Sequence, residues 1–143
     1  MEDFVRFLTE IVDPTVKEFA ANPGSARQAF LACVVTLHSV DYLAYDRKLS
    51  KAPKGALRAI QEQFCKQSPD FKLVDEVAHA FKHVVSTRRP DRRLKSEEVI
   101  RRGGFSRDFS SDFDVIRVTI KGHPEVDLLE TVKRAVIFLR EKG

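Results

Sequence analysis

The stretch from Ser25 to Asp46 most limits what this chain can fold into, because apolar residues cover most of the circumference of the helix that it predicts. Ser25, with Gln28 three residues later, has the spacing of a capping box that opens such a helix. A helix that is apolar on nearly all sides must be surrounded by other elements. We therefore expect it to be the central helix of a bundle, with these positions in contact with the rest of the core: Ala29, Phe30, Leu31, Cys33, Val34, Val35, Leu37, Val40, Leu43 and Ala44.

Apolar residues at helical spacing predict four further helices around it. A first helix covers the N-terminus, and Asp13-Pro14 within it reads as a new N-cap followed by proline, so we expect a kink or a restart there. A third helix is expected over about 54–67, and a fourth over about 69–86 with Ser68 as its cap. The last is marked by Leu128, Leu129, Val132, Val136 and Leu139.

The periodicity changes between the fourth and the last helix. In "DVIRVTIKG", Ile116, Val118 and Ile120 alternate with polar residues, which predicts a half-buried strand. A strand needs a hydrogen-bonding neighbour, and the nearest segment for it lies within 94–102. The predicted fold class is mainly α: a bundle of about five helices with a small antiparallel β-ribbon, at about 94–122, inserted before the C-terminal helix. We expect a single domain over 1–143.

Nearly all of the net positive charge belongs to one connecting segment. The chain carries +4, whereas residues 88–107 alone hold eight Arg or Lys against three acidic residues. Such a segment is either a solvated loop or a surface that binds RNA or another acidic partner. The candidate nucleic-acid-binding residues are Arg88, Arg89, Arg92, Arg93, Lys95, Arg101 and Arg102.

Two polar groups are candidates for catalysis. His38, Asp41 and Tyr45 fall within a narrow sector of the apolar central helix, so we expect them to form a buried network or to line a pocket. His79 and His83 lie one helical turn apart, on the face opposite the apolar stripe of the fourth helix. They are surface groups, metal ligands, or partners of the first group. The candidate catalytic residues are His38, Asp41, His79, Lys82 and His83.

Two segments of the chain carry a resemblance to known proteins. "HSVD", with His38 and Asp41, followed later by "AHAFKH", from Ala78 to His83, resembles a pairing in small uncharacterised bacterial and phage proteins. More distantly, the chain is similar to the HEPN superfamily of helical bundles, and this similarity implies metal-independent ribonuclease activity in stress or phage-defence systems. In the HEPN signature, an Arg is followed by four to six intervening residues and then by His. Here Leu73 lies six residues before His79 and Lys72 one further back.

Three classes of function stay open at this point. The first is a non-enzymatic interaction module that forms a homodimer or binds a protein partner. The second is an HEPN-like ribonuclease or a degenerate relative, and the third is a metal-dependent hydrolase. We expect neither a dedicated metal site nor a cofactor, because Glu76 and His79 give the Glu-x-x-His spacing only once and no nucleotide-binding glycine loop is present.

The cysteines and the N-terminus give an expected location. Cys33 and Cys65 lie in apolar helical patterns without the spacing of a disulfide framework, so we expect two free buried thiols. "MEDFVRFLTE" opens with acidic residues, in contrast to a secretory signal, and no apolar run approaches the ~20 residues that cross a bilayer. We therefore expect a cytoplasmic protein that makes no contact with a membrane.

Overall fold

The computed structural model describes residues 2–48, 55–83, 101–103, 115–118 and 126–143. This part of the chain is mainly helical, as predicted, and holds five helices. Helix α1 runs over 2–21 and consists of Glu2–Phe7, a π-helical segment Leu8–Val12, and Asp13–Ala21. The other helices are α2 (Ala26–Asp46), α3 (Ala56–Gln67), α4 (Pro69–His83) and α5 (Leu128–Arg140).

Helix α1 continues through the position where the sequence predicts a new N-cap. Asp13 has helical backbone angles, φ −59° and ψ −48°, so it does not begin a new helix. Its N–H donates to the carbonyl of Leu8, five residues back, which widens the turn just before Pro14. Proline lacks an N–H and its ring clashes with the preceding turn of a regular α-helix. The π-helical segment accommodates this proline without ending the helix.

Helix α2 is the central helix, as its composition predicts. The hydroxyl of Ser25 accepts a hydrogen bond from the N–H of Gln28 at 3.2 Å, so the predicted cap is confirmed. The helix packs against each of the four other helices. Cys33 on α2 and Cys65 on α3 are free and buried, as predicted. Burial raises the pKa of the Cys33 thiol far above its ordinary value, so this thiol stays protonated and unreactive.

Helix α4 is more deeply buried than its polar stripe suggests. Ser68 caps it by accepting from the N–H of Phe71 at 3.0 Å, and Val74 and Val77 are fully buried, as predicted. However, Asp75 and Glu76 are only 2% and 1% exposed. Glu76 lies on the polar stripe together with His79, so this stripe is not solvated along its whole length. The reason is that α4 packs against α2, α3 and α5, whereas periodicity reports only how polar a face is.

Helix α5 closes the bundle and uses almost all of its apolar residues inside it. Asp127 caps the helix by accepting from the N–H of Glu130 at 3.2 Å. In "AVIFL", Ala135, Val136 and Leu139 are buried, and the ring of Phe138 lies edge-on to Phe64, 5.4 Å away between centroids. Ile137 is 59% exposed. Packing within the chain therefore explains most of this run of apolar residues.

Three short strands precede α5. Strand β1 (Arg101–Gly103) pairs antiparallel with β2 (Val115–Val118), with Arg102 opposite Ile116. Strand β2 also pairs antiparallel with β3 (Val126–Asp127), which the sequence did not indicate. Most of the region predicted as a ribbon, about 94–122, lies outside the described residues, so the ribbon as a whole stays a prediction.

The first turn of α1 is held by the last turn of α2. The N–H of Phe4 donates to the Asp46 carboxylate at 2.8 Å. This backbone hydrogen bond lowers the pKa of Asp46 below its ordinary value of 3.8, and the N–H of Asp3 contributes in the same direction. Asp46 therefore acts as a cap that α2 supplies to α1, satisfying N–H groups that have no partner within the first turn. This bond fixes Asp3 and Arg6 relative to α2.

The Asp46 cap predicts a pH-dependent stability. Since the folded pKa lies below the unfolded one, the ionised carboxylate stabilises the fold above about pH 4, and this contribution is lost as the pH falls through the folded pKa. We expect Asp46→Asn to melt at a lower temperature than the wild type near neutral pH, with the difference closing in strong acid. Thermal melts of both proteins, with Glu62→Gln as a control on exposed α3, measure this. A difference that persists unchanged in acid would contradict the cap.

Candidate functional site

A concave site lies on the surface between α1 and α2. It is an open depression of about 490 Å³, within the volume range of ligand sites. Its lining residues are Asp3, Arg6, Asp41, Tyr42 and Tyr45. Two carboxylates, one guanidinium and two phenol rings thus come together from two helices. This is the tyrosine-lined depression.

Three residues of α2 form one side of the depression. Asp41, Tyr42 and Tyr45 project from adjacent positions on two consecutive turns of α2. The sequence predicted this sector to form a buried network or to line a pocket. The buried network is wrong, because the side chains of His38 and Asp41 are 65% and 43% exposed and Tyr45 is 61% exposed. Asp41 and Tyr45 line the open depression, whereas His38 lies outside its lining. The neighbouring apolar residues Leu31 and Val34 are themselves only partly buried. The other helices therefore leave this sector of α2 on the surface.

Ion pairs and one ring stack organise the depression. The Arg6 guanidinium donates to Asp3 at 2.6 Å, and His38 Nδ1 lies 3.2 Å from the Asp41 carboxylate. The Tyr42 ring stacks on Phe7 with centroids 4.0 Å apart and planes 16° apart. One face of Tyr42 is therefore covered by α1, and the ring is held in a fixed orientation. Because the pairs are exposed, each contributes at most about 1 kcal/mol to stability.

A second polar pair lies within α4. His79 Nδ1 is 2.7 Å from the backbone carbonyl of Asp75 and 3.5 Å from its carboxylate, and the imidazole is 21% exposed. A carbonyl oxygen can only accept, so Nδ1 carries the proton in the neutral ring and the lone pair is on Nε2. This fixes the tautomer and the orientation of the ring. The sequence pointed to His79, whereas the contribution of Asp75 was missed.

The contacts that the structure shows for the predicted catalytic residues each lie within one helix. His38 contacts Asp41, and His79 contacts Asp75, so each pair lies within one helix. Asp41 lines the depression with α1 residues, which gives no support to the hypothesis that His38 and Asp41 meet the histidines of α4. Lys82 and His83 belong to the last turn of α4, and their side chains lie outside the described part of the chain.

The predicted nucleic-acid-binding residues cannot be placed as a surface. Arg88, Arg89, Arg92, Arg93 and Lys95 lie outside the described residues. The backbone of Arg101 and Arg102 forms β1, and their side chains are likewise outside the described part. Within the described ranges, no group of three or more His, Cys, Asp or Glu is arranged to hold a metal ion. None of the helices described is both long and apolar enough to cross a membrane.

Comparison with known proteins gave no match. No family model, curated protein or solved structure is similar to this chain.

Three residues of the depression were missed by sequence reasoning. Asp3 and Arg6 come from α1, and nothing in a single sequence shows which turn of α1 packs beside Asp41. Tyr42 follows Asp41 directly, yet its stack on Phe7 depends on the same pairing of helices. The available signal was the "DYLAY" pattern, because two tyrosines at i and i+3 present both rings on one side of a helix.

Proposed function

We propose that this protein is a non-enzymatic interaction module and that its partner is a second copy of the chain, bound at the tyrosine-lined depression. The observation that carries the proposal is the exposure of two tyrosines, Tyr42 at 37% and Tyr45 at 61%, in a depression whose other lining residues are charged. Tyrosine and arginine are enriched among the residues that contribute most to protein–protein binding. Twofold pairing is the commonest form of self-association.

The surroundings of the depression favour binding over chemistry. The imidazole of His38, next to the depression, is largely exposed and lies beside the partly exposed carboxylate of Asp41. Catalytic acid–base groups typically sit where burial and neighbouring charges adjust their protonation. By contrast, a rigid ring backed by another ring, as Tyr42 is by Phe7, loses little conformational entropy when it binds a partner.

Self-association through this site predicts a specific effect of Tyr45→Ala. We expect the dimer dissociation constant to rise roughly tenfold or more, because truncating a central interface tyrosine removes about 1.4 kcal/mol or more of binding. Ile137→Ala is the matched control, since Ile137 is 59% exposed on α5 and Tyr45 is 61% exposed on α2. Sedimentation equilibrium over a concentration series measures both variants.

Two outcomes of that experiment would count against the proposal. One is a strictly monomeric wild type at the highest concentration reached. The other is a dimer that Ile137→Ala weakens as much as Tyr45→Ala does. Because both side chains are largely exposed, neither substitution is expected to change stability by more than about 0.5 kcal/mol. Loss of the dimer in Tyr45→Ala would then be caused by the altered interface and not by unfolding.

An HEPN-like ribonuclease is the second candidate, and the oriented imidazole of His79 favours it. With the proton on Nδ1 held toward Asp75, Nε2 could act as general base toward a ribose 2′-hydroxyl. Lys82 or the basic segment 88–107 would then bind phosphate. Incubating RNA with the wild type and with His79→Ala separates the candidates. Cleavage that His79→Ala abolishes would establish the nuclease, whereas absent or equal cleavage would remove it.

A further inference from the structure

The charges of the tyrosine-lined depression indicate which part of a partner it accepts. Asp3 and Asp41 bring two carboxylates to its wall, and Arg6 brings one guanidinium, so the lining residues carry a net charge of −1. The faces of Tyr42 and Tyr45 add the negative potential of aromatic rings. Carboxylates next to exposed tyrosine rings form an environment that attracts a cationic side chain.

The protein already contains one example of such a contact in this place. The Arg6 guanidinium is bound to Asp3 at 2.6 Å at the edge of the depression. A carboxylate accepts up to about four hydrogen bonds, so Asp3 and Asp41 retain the capacity to accept from further N–H donors. The planar fork of arginine matches a carboxylate with two N–H groups and also stacks on aromatic rings, which lysine does less well.

We propose that the tyrosine-lined depression binds an arginine side chain from residues 88–107 of a second copy of the chain. The proposal rests on the proposed self-association and names what the partner supplies. Its basis is charge complementarity: residues 88–107 carry a net +5, and the rest of the chain carries −1. Asp41 accepts from the incoming guanidinium, and Tyr45 packs against its planar face.

The test uses a synthetic peptide with the sequence of residues 88–107 and the full-length protein, with binding measured by titration calorimetry. A second peptide replaces every arginine with citrulline, which keeps the shape and removes the charge. We expect the arginine peptide to bind the wild type and the citrulline peptide to bind at least about tenfold more weakly. Added salt should weaken the binding of the arginine peptide, since the contact is exposed.

Two variants locate the binding. Asp41→Asn keeps the size of the side chain and removes its charge. We expect this variant to bind the arginine peptide about tenfold more weakly than the wild type does. Glu130→Gln removes an exposed charge from α5 and should leave binding unchanged. Equal binding of both peptides, equal binding by wild type and Asp41→Asn, or no binding at all would overturn the inference.

Failure of the inference is distinguishable from failure of the proposed function. A wild type that dimerises through Tyr45 but does not bind the arginine peptide would overturn the arginine site and keep the interaction module. A wild type that stays monomeric at high concentration would overturn the proposed self-association, whatever the peptide does, and with it the second copy as the source of the arginine.

Discussion

Replacing Phe71 with alanine is expected to lower the free energy of unfolding by about 3–5 kcal/mol. Phe71 is fully buried on α4, and its ring lies 5.8 Å from Phe64 on α3 and 6.2 Å from Phe138 on α5. The substitution removes apolar area from the place where α3, α4 and α5 meet. It leaves a cavity, because the three helices around it cannot move close enough together to fill it. The edge-to-face pair with Phe64 adds about 0.5–1.5 kcal/mol to what burial alone gives.

Denaturant unfolding of Phe71→Ala measures this loss. Ile137→Ala is the control, because Ile137 is next to Phe138 in the sequence but 59% exposed, and its effect should stay within about 0.5 kcal/mol. A loss below about 1 kcal/mol for Phe71→Ala would mean that α4 does not pack between α3 and α5. The description of α4 as an internal helix would then be wrong.

Phe4→Ala is expected to destabilise the fold by a similar amount, about 3–5 kcal/mol, and to disturb the tyrosine-lined depression as well. The Phe4 side chain is fully buried, and the C-terminal residue lies so close that a side chain added at Gly143 would be 2.5 Å from the ring. The N–H of Phe4 is also the donor to Asp46. Losing the ring should therefore loosen the turn of α1 that carries Asp3 and Arg6.

Val5→Ala is the matched control for Phe4→Ala, since Val5 is the next residue and is 48% exposed. We expect its unfolding free energy to stay within about 0.5 kcal/mol of the wild type. Hydrogen exchange at the amides of α1 gives the second measurement, with faster exchange expected in Phe4→Ala alone. Unchanged exchange in that variant would show that α1 does not depend on this contact.

The helices could be predicted from the sequence because local signals agree with the packing. Ser25 and Ser68 are caps in the structure as in the sequence pattern, and Leu128, Val132 and Leu139 form the buried face of α5. The central position of α2 followed from its nearly all-round apolar character, because such a helix has no stable place outside a bundle. These features depend on short-range chemistry, which a single sequence contains.

The candidate site could not be predicted, because it depends on which turns of different helices meet. The sequence indicated the unusual sector of α2 but not whether another helix covers it. The structure leaves His38 and Tyr45 exposed, and it buries Glu76 on the polar stripe of α4. The spacing of polar and apolar residues along a helix is the same whether its polar side faces solvent or is covered by another helix. What decides burial is where the neighbouring helices lie around each helix, which is a property of the whole fold.

The most direct test of the account is a concentration series of amide and tyrosine-ring NMR spectra of the wild type. If the tyrosine-lined depression is the surface where a second copy binds, resonances of Asp3, Arg6, Asp41, Tyr42 and Tyr45 will shift or broaden as the concentration rises. Resonances around Ile137 on α5 will stay unchanged. Concentration-dependent changes centred on α5, with the two tyrosines unaffected, would contradict the account.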